Sequence, residues 1–209
     1  MTTTLPFALY LVTDRGAARR GLVDVVEECL EAGLRAVQLR EKDLGVREML
    51  DLAAALRETT RRHGARLILN DRADVAMAVG ADGVQRTHTS LPVGALRSVV
   101  GNGSLIGASV HSLADAQGAA QDGADFLVFG PIYDTPSKRQ YGAPQGLDAL
   151  AHVAKSVARP VIAVGGITPE RVRPVLEAGA AGVAVITAIL AADRPADATK
   201  SFLDALGHA

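Results

Sequence analysis

The chain has 209 residues, 48% of them apolar and 22% charged, with a formal net charge of −1; this suits one domain with a sizeable core and leaves no basic footprint for nucleic acid and no polybasic segment for an anionic membrane surface. Aromatic residues make up 3% and tryptophan is absent, so a base-stacking surface has little to work with. Cys29 is the single cysteine and lies in the helical pattern VVEECLEAG, which excludes an intrachain disulfide and reads as a small buried apolar residue rather than a reactive thiol.

The N-terminal stretch MTTTLPFALYLVT has no basic n-region, its apolar run is too short for a signal core, and no run reaches membrane-spanning length. The expected location is therefore the cytosol. Strands are expected over 7–12, 35–39, 66–69, 83–85, 105–108, 125–129, 160–164 and 182–186, each a short β-branched or apolar run bounded by turn signals. Between them lie helical patterns such as VDVVEECLEA, REMLDLAAALRETTRRH, DALAHVAKSVA and PERVRPVLEA, whose apolar positions recur at three and four residues. Strict alternation implies parallel strands with right-handed crossovers, and eight units of about 26 residues match a minimal (β/α)8 TIM barrel, a single domain over 1–209. A doubly wound open sheet is the alternative.

Four helical stretches run out at a glycine before an apolar run, at Gly33, Gly80, Gly123 and Gly179, with intervals of 47, 43 and 56 residues that each hold two strands and two helices. The near-repeats GADGV (80–84), GADFLV (123–128) and GAAGVAV (179–185) fall at alternate strands, as reiterated quarter units would. Their glycines read as left-handed helix ends without a chemical role.

A barrel of this kind builds its site at the C-terminal ends of the strands. Strand 2 ends in Gln38, Arg40, Glu41 and Lys42, strand 3 in Asn70, Asp71 and Arg72, strand 4 in the run from Gln85 to Ser90, and strand 5 in Ser109 and His111. The loop GPIYDTPSKRQYGAPQG (130–146) carries Thr135, Ser137 and Lys138, a composition suited to closing over a phosphorylated ligand. Gly165 and Gly166 precede a helix opened by Thr168 and Pro169, a hydroxyl cap and a first-turn proline, while Ile186 and Thr187 precede a further helix. Glycine backbone N–H groups and helix N-termini together make a phosphate cradle. Arg40, Lys42 and Lys138 form a second anionic site across the mouth, with Asn70 as donor. Asp71 reads either as a magnesium ligand or as the N-cap of a helix over RADVAMAV, and His111 either as a general base or as a cap or neighbour-bonding side chain. No histidine or cysteine pattern has metal-ligand spacing, and GxSxG, HExxH and GxxxxGKS motifs are absent.

The segments YLVTD (10–14), VQLREKD (37–43), LILNDRADVA (67–76), IGASVHS (106–112), FGPIYDTPSK (129–138), VIAVGGITPE (161–170) and GVAVITAI (182–189) jointly resemble the thiamine phosphate synthase/TenI family over nearly the whole chain. The resemblance implies a synthase that joins hydroxymethylpyrimidine diphosphate to thiazole phosphate and releases pyrophosphate. It implies Gln38, Arg40, Lys42, Asn70 and Lys138 around the pyrimidine diphosphate, Asp71 on Mg2+ and Ser109 against the pyrimidine. Thr135, Ser137, Gly166, Ile186 and Thr187 would hold the thiazole phosphate. Small phosphorylated substrates are thus the expected partners, with a homodimer as a further possibility.

One departure stands out. Synthases of the family carry a GQED-type stretch after strand 4 whose aspartate is the second magnesium ligand, whereas this chain reads QRTHTSLPV with Ser90 at that place. That change implies weaker magnesium-diphosphate binding and brings in the TenI-type thiazole tautomerase as the alternative, although the tautomerase histidine after strand 6 is replaced here by Pro131. A non-catalytic binder of thiazole phosphate or thiamine phosphate, and a different phosphate-binding barrel such as an epimerase, complete the readings.

Overall fold

The short apolar runs become eight strands, each within about two residues of its expected span: β1 (Leu9–Val12), β2 (Ala36–Leu39), β3 (Arg66–Asn70), β4 (Gly83–Arg86), β5 (Leu105–Val110), β6 (Phe126–Phe129), β7 (Val161–Val164) and β8 (Gly182–Val185). In the computed structural model, which describes residues 5–135 and 143–207, all eight pair in parallel and β8 returns to β1, closing the barrel. The helices are α1 (Leu22–Glu31), α2 (Val46–Arg62), α3 (Ala73–Val79), α4 (Val93–Val100), α5 (Leu113–Gln121), α6 (Gly146–Ser156), α7 (Pro169–Glu177), the short α8 (Thr187–Leu190) and α9 (Pro195–Ala205).

Strand periodicity splits the core in two. Outward residues such as Leu9, Leu11, Val37, Leu67, Leu69, Val84, Ile106 and Leu127 pack against the helices. Inward residues Tyr10, Val12, Ala36, Ile68, Phe126, Val128, Ile162 and Ala184 fill the barrel together with Phe7. Phe126 meets Phe7 and Tyr10 edge to face, with centroids 5.7 and 5.9 Å apart, an arrangement favoured by the ring quadrupoles. Gly107 makes room for this plug: a Cβ there would lie 2.4 Å from Phe126 Cζ and 2.3 Å from Gln85 Oε1.

The four helix-ending glycines all adopt positive φ, from 63° at Gly80 to 112° at Gly33, as their position before the even-numbered strands requires. The aspartates beside them, which carry no signal of their own beyond the repeat, are latches at the N-terminal rim. Asp82 accepts from Leu67 N–H at 2.9 Å, Arg57 at 2.7 Å and Arg66 at 2.9 Å. Asp125 repeats the pattern two strands on, accepting from Ile106 N–H at 2.7 Å and Arg97 at 2.6 Å. The third copy has Ala181, which keeps only the backbone bond to Val161 O at 2.8 Å.

Candidate active site

Polar groups enter the barrel at the C-terminal ends of the inward-facing positions. Gln38 and Gln85 are both buried; Gln38 Nε2 donates to Asn70 Oδ1 at 3.3 Å and Gln85 Nε2 to Ser109 Oγ at 3.0 Å. Two side-chain pairs thus join β2 to β3 and β4 to β5 above the apolar plug. Gln85 Oε1 has no described partner, and a buried acceptor in that condition carries a desolvation cost that a ligand donor would relieve.

Beyond β2 the chain keeps alternating, and the alternation separates the charges. Glu41 is buried and accepts from Arg15 N–H at 3.1 Å on both carboxylate oxygens, while Asp43 takes the Arg15 guanidinium at 2.5 and 2.7 Å. This fork holds the Asp43 carboxyl below its ordinary range. Thr13 reinforces the turn, its hydroxyl oxygen accepting from Arg40 N–H at 2.9 Å. The interleaved cations are left over: neither Arg40, half-buried, nor Lys42, exposed, pairs its side chain with a described carboxylate. Arg15 and Thr13 were not legible as contributors, because their partners lie a helix away in sequence.

At the end of β3, Asp71 has φ of 62° and is the one non-glycine residue in the left-handed region among those described. Its N–H donates to Gln85 O at 3.0 Å. The N-cap of α3 is Arg72, not Asp71, so the capping alternative is set aside. Arg72 forks onto Asp74 at 2.8 and 2.7 Å and holds that carboxyl down to about 2. The exposed Asp71 carboxylate is thereby left without a hydrogen bond to a described residue. A left-handed aspartate costs more backbone energy than a glycine would at the same place. Ser90, by contrast, is engaged: its Oγ accepts from Thr87 N–H at 2.8 Å and lies 3.0 Å from Thr87 Oγ1. Among the described residues no group of three His, Cys, Asp or Glu converges as a metal site. The donor set, one carboxylate after β3 and two cations after β2 that have no carboxylate partner among the described residues, fits a magnesium ion held mainly by diphosphate oxygens and water.

The opposite rim is built from backbone. Gly165 and Gly166 follow β7 with φ of 99° and 64°, and the first residues of the β6 loop lie directly on them. Ile132 N–H donates to Val164 O at 2.8 Å and Tyr133 N–H to Gly165 O at 3.0 Å. A Cβ on Gly165 would sit 2.5 Å from Pro131 Cβ, and one on Gly166 2.8 Å from Tyr133 Cβ, so glycine is required for contact as well as conformation. Neither Gly166 N–H nor Ile167 N–H donates to a described residue. The β7–β8 register, Val164 opposite Ala184, brings half-buried Ile186 and exposed Thr187, at the start of α8, alongside this turn. Half-buried Thr135 stands at the edge of the described loop; Ser137 and Lys138 lie outside the described residues. Thr168 is the N-cap of α7, but its hydroxyl makes no capping bond. The hydroxyl instead favours the charged form of the Glu170 carboxyl and holds its pKa down.

His111 sits between the two rims. Its Nδ1–H donates to Gly130 O at 2.6 Å, since a carbonyl oxygen can only accept, and its Nε2 has no hydrogen-bond partner among the described residues. The helix that follows is capped by Ser112, whose Oγ accepts from Asp115 N–H at 3.1 Å. Of the two sequence readings, the neighbour-bonding one describes the geometry of Nδ1.

Comparison with known proteins places this arrangement. Residues 9–189 match the family described as thiamine monophosphate synthase. The chain is 50% identical to a Geobacter sulfurreducens protein provisionally named thiamine-phosphate synthase, covering 94% of this chain and 93% of that one. It is 42% identical to the thiamine-phosphate synthase of Roseiflexus castenholzii, covering 98% and 92%. A thiamine phosphate pyrophosphorylase from Pyrococcus furiosus superposes with a TM-score of 0.88 at 37% identity, covering 96% of this chain and 95% of that one. These relatives favour the synthase over the tautomerase, and the chain belongs to the thiamine monophosphate synthase family.

Proposed function

We propose that the chain is a thiamine phosphate synthase that couples hydroxymethylpyrimidine diphosphate with thiazole phosphate. The observation that carries this reading is the division of one barrel mouth into two anion-seeking rims: Arg40 and Lys42 after β2, without a carboxylate partner among the described residues, and the N–H groups of Gly166 and Ile167 after β7, without a described acceptor. Two phosphorylated substrates need two such places, held apart so that only their reacting carbons and nitrogens meet.

In the reaction the bond between the pyrimidine methylene carbon and the diphosphate oxygen breaks, its electron pair leaving with pyrophosphate. The thiazole nitrogen then donates its lone pair to that electron-poor carbon, forming the new C–N bond. No protein nucleophile is required. Arg40 and Lys42, joined by Lys138, would stabilise the charge that grows on the leaving group. Gln38, Asn70 and Ser109 would orient the pyrimidine, while Thr135, Ser137, His111, Gly165, Gly166, Ile186 and Thr187 would seat the thiazole phosphate. Asp71 would hold the magnesium ion, which when bound neutralises further charge on the diphosphate. Ser90, already committed to Thr87, offers no second anionic ligand.

The test is direct: purified chain, both substrates and Mg2+ should yield thiamine phosphate and pyrophosphate in equal amounts, measured by chromatography. Binding of both substrates without turnover at high enzyme and metal would overturn the reading in favour of a binding protein.

A further inference from the structure

We propose that Arg171 is a positioning residue for the phosphate cradle, acting as a clamp with Tyr133; the inference rests on the assignment of the Gly165–Gly166 turn to thiazole phosphate. Arg171 is exposed in the first turn of α7 and makes two contacts that nothing in the sequence announces. Its guanidinium donates to Gly166 O at 2.6 Å, and its Cζ lies 4.4 Å from the centroid of the Tyr133 ring.

These contacts fix the direction of the cradle's donors. In a trans peptide the C=O and the following N–H point in opposite directions, and the one cis bond among the described residues is Gly130–Pro131. Tyr133 N–H holds Gly165 O toward β6, so Gly166 N–H points away from β6. Arg171 holds Gly166 O, so Ile167 N–H points away from Arg171. The two peptide planes are thus pinned by their carbonyls while neither N–H group donates to a described residue. Glycine alone would not hold this arrangement, because it visits several backbone regions at little cost. The Tyr133 face keeps the guanidinium plane in place, and a cation over an aromatic ring is attracted by its quadrupole. Because Tyr133 also starts the loop that carries Thr135, the clamp fixes loop and cradle to each other.

The experiment compares Arg171→Ala, Arg171→Lys, Tyr133→Ala, Tyr133→Phe and the Arg171→Ala/Tyr133→Ala double variant. Steady-state kinetics gives separate KM values for the two substrates. Arg171→Ala should raise the KM for thiazole phosphate about tenfold, the scale of one lost charge-assisted bond, with the KM for the pyrimidine diphosphate within about twofold of native. Tyr133→Ala should act the same way and the double variant should be no worse than the single ones, as expected for one coupled unit. Tyr133→Phe, which keeps the ring, and Arg171→Lys, which keeps a donor, should recover part of the loss. Equal rises in both KM values, or additive effects of the two alanine changes, would overturn the clamp. If the native chain forms no product, the function reading fails, and amide NMR still decides the clamp. Inorganic phosphate should shift the Gly166 and Ile167 resonances with about tenfold weaker apparent affinity in Arg171→Ala; unchanged affinity would overturn it.

Discussion

Gln85 reaches Ser109 on the neighbouring strand inside the barrel, its amide donating to the serine hydroxyl oxygen at 3.0 Å, while the same residue's backbone carbonyl accepts from Asp71 N–H at 3.0 Å. One residue of β4 therefore supports both the serine assigned to the pyrimidine and the backbone of the aspartate assigned to magnesium. Its inward position is legible from the alternation of Gly83 and Gln85, but its two partners are not.

Replacing Gln85 by Leu removes the donor to Ser109 and leaves the backbone bond to Asp71 in place. The serine hydroxyl would then rotate freely, and kcat should fall about five- to tenfold, the scale of one hydrogen bond. Stability should change little, because the native amide already carries a buried oxygen without a described partner and an apolar side chain of similar size has none to satisfy. Parallel kinetics and thermal denaturation check both halves; a large fall in Tm with kcat intact would contradict the orienting role.

Asp71 should show a trade of stability against activity. Asp71→Gly relieves the φ of 62° and should stabilise the fold by about 1 kcal/mol, yet it deletes the free carboxylate. Synthase activity should fall by about a hundredfold or more, the scale for losing a metal-binding or charge-stabilising group. The companion change Ser90→Asp supplies a second carboxylate and should lower the Mg2+ concentration needed for half-maximal rate. Magnesium titrations of the three proteins, with denaturation curves, give both readouts.

What the sequence discloses and what it hides follow a physical line. Strand runs such as FLVF and VIAV, and the glycine pair after β7, are local signals: hydrophobic period and backbone permissiveness act over a few residues. The charge sorting at REKD is not local, because Arg15 claims Glu41 and Asp43 from a different βα loop. Asp71 illustrates the same boundary. An aspartate before a helical pattern is an ordinary N-cap by composition, whereas here Asp71 continues the pairing to Gln85, takes a left-handed φ and leaves the cap position to Arg72. Thr168 precedes Pro169 as a cap should, yet its hydroxyl makes no capping bond.

The N-terminal rim should affect stability without affecting chemistry. Asp125→Ala strands the Ile106 N–H that the carboxylate now satisfies and removes the carboxylate partner of Arg97, whose guanidinium keeps its bonds to the Ser104 and Gly123 carbonyl oxygens. Losing a charge-assisted bond to a buried backbone donor costs about 2–3 kcal/mol. KM values should stay native, because function in this fold resides at the other end of the strands. Urea denaturation and kinetics on the same preparation separate the two, and altered KM values would show that the latch reaches the site.

Cys29 should give the fold an alkaline limit. Cys29 lies on the buried face of α1, and that burial raises its thiol from an ordinary 9.0 to about 11. The thiol is neutral when protonated, so the folded state binds the proton more tightly than the unfolded chain. Its contribution is fully present below pH 9.0 and is lost as pH rises toward about 11, because the unfolded chain ionises first. The slope approaches about 1.4 kcal/mol per pH unit within that window. Cys29→Ala should lower stability at pH 8 through the cavity it leaves, but flatten the decline above pH 9.0 relative to native. Urea midpoints across the window test the sign, and native protein at pH 8 should resist thiol-labelling reagents until denatured. Rapid labelling of the folded chain, or parallel pH profiles for the two proteins, would contradict the assignment of the shift to burial.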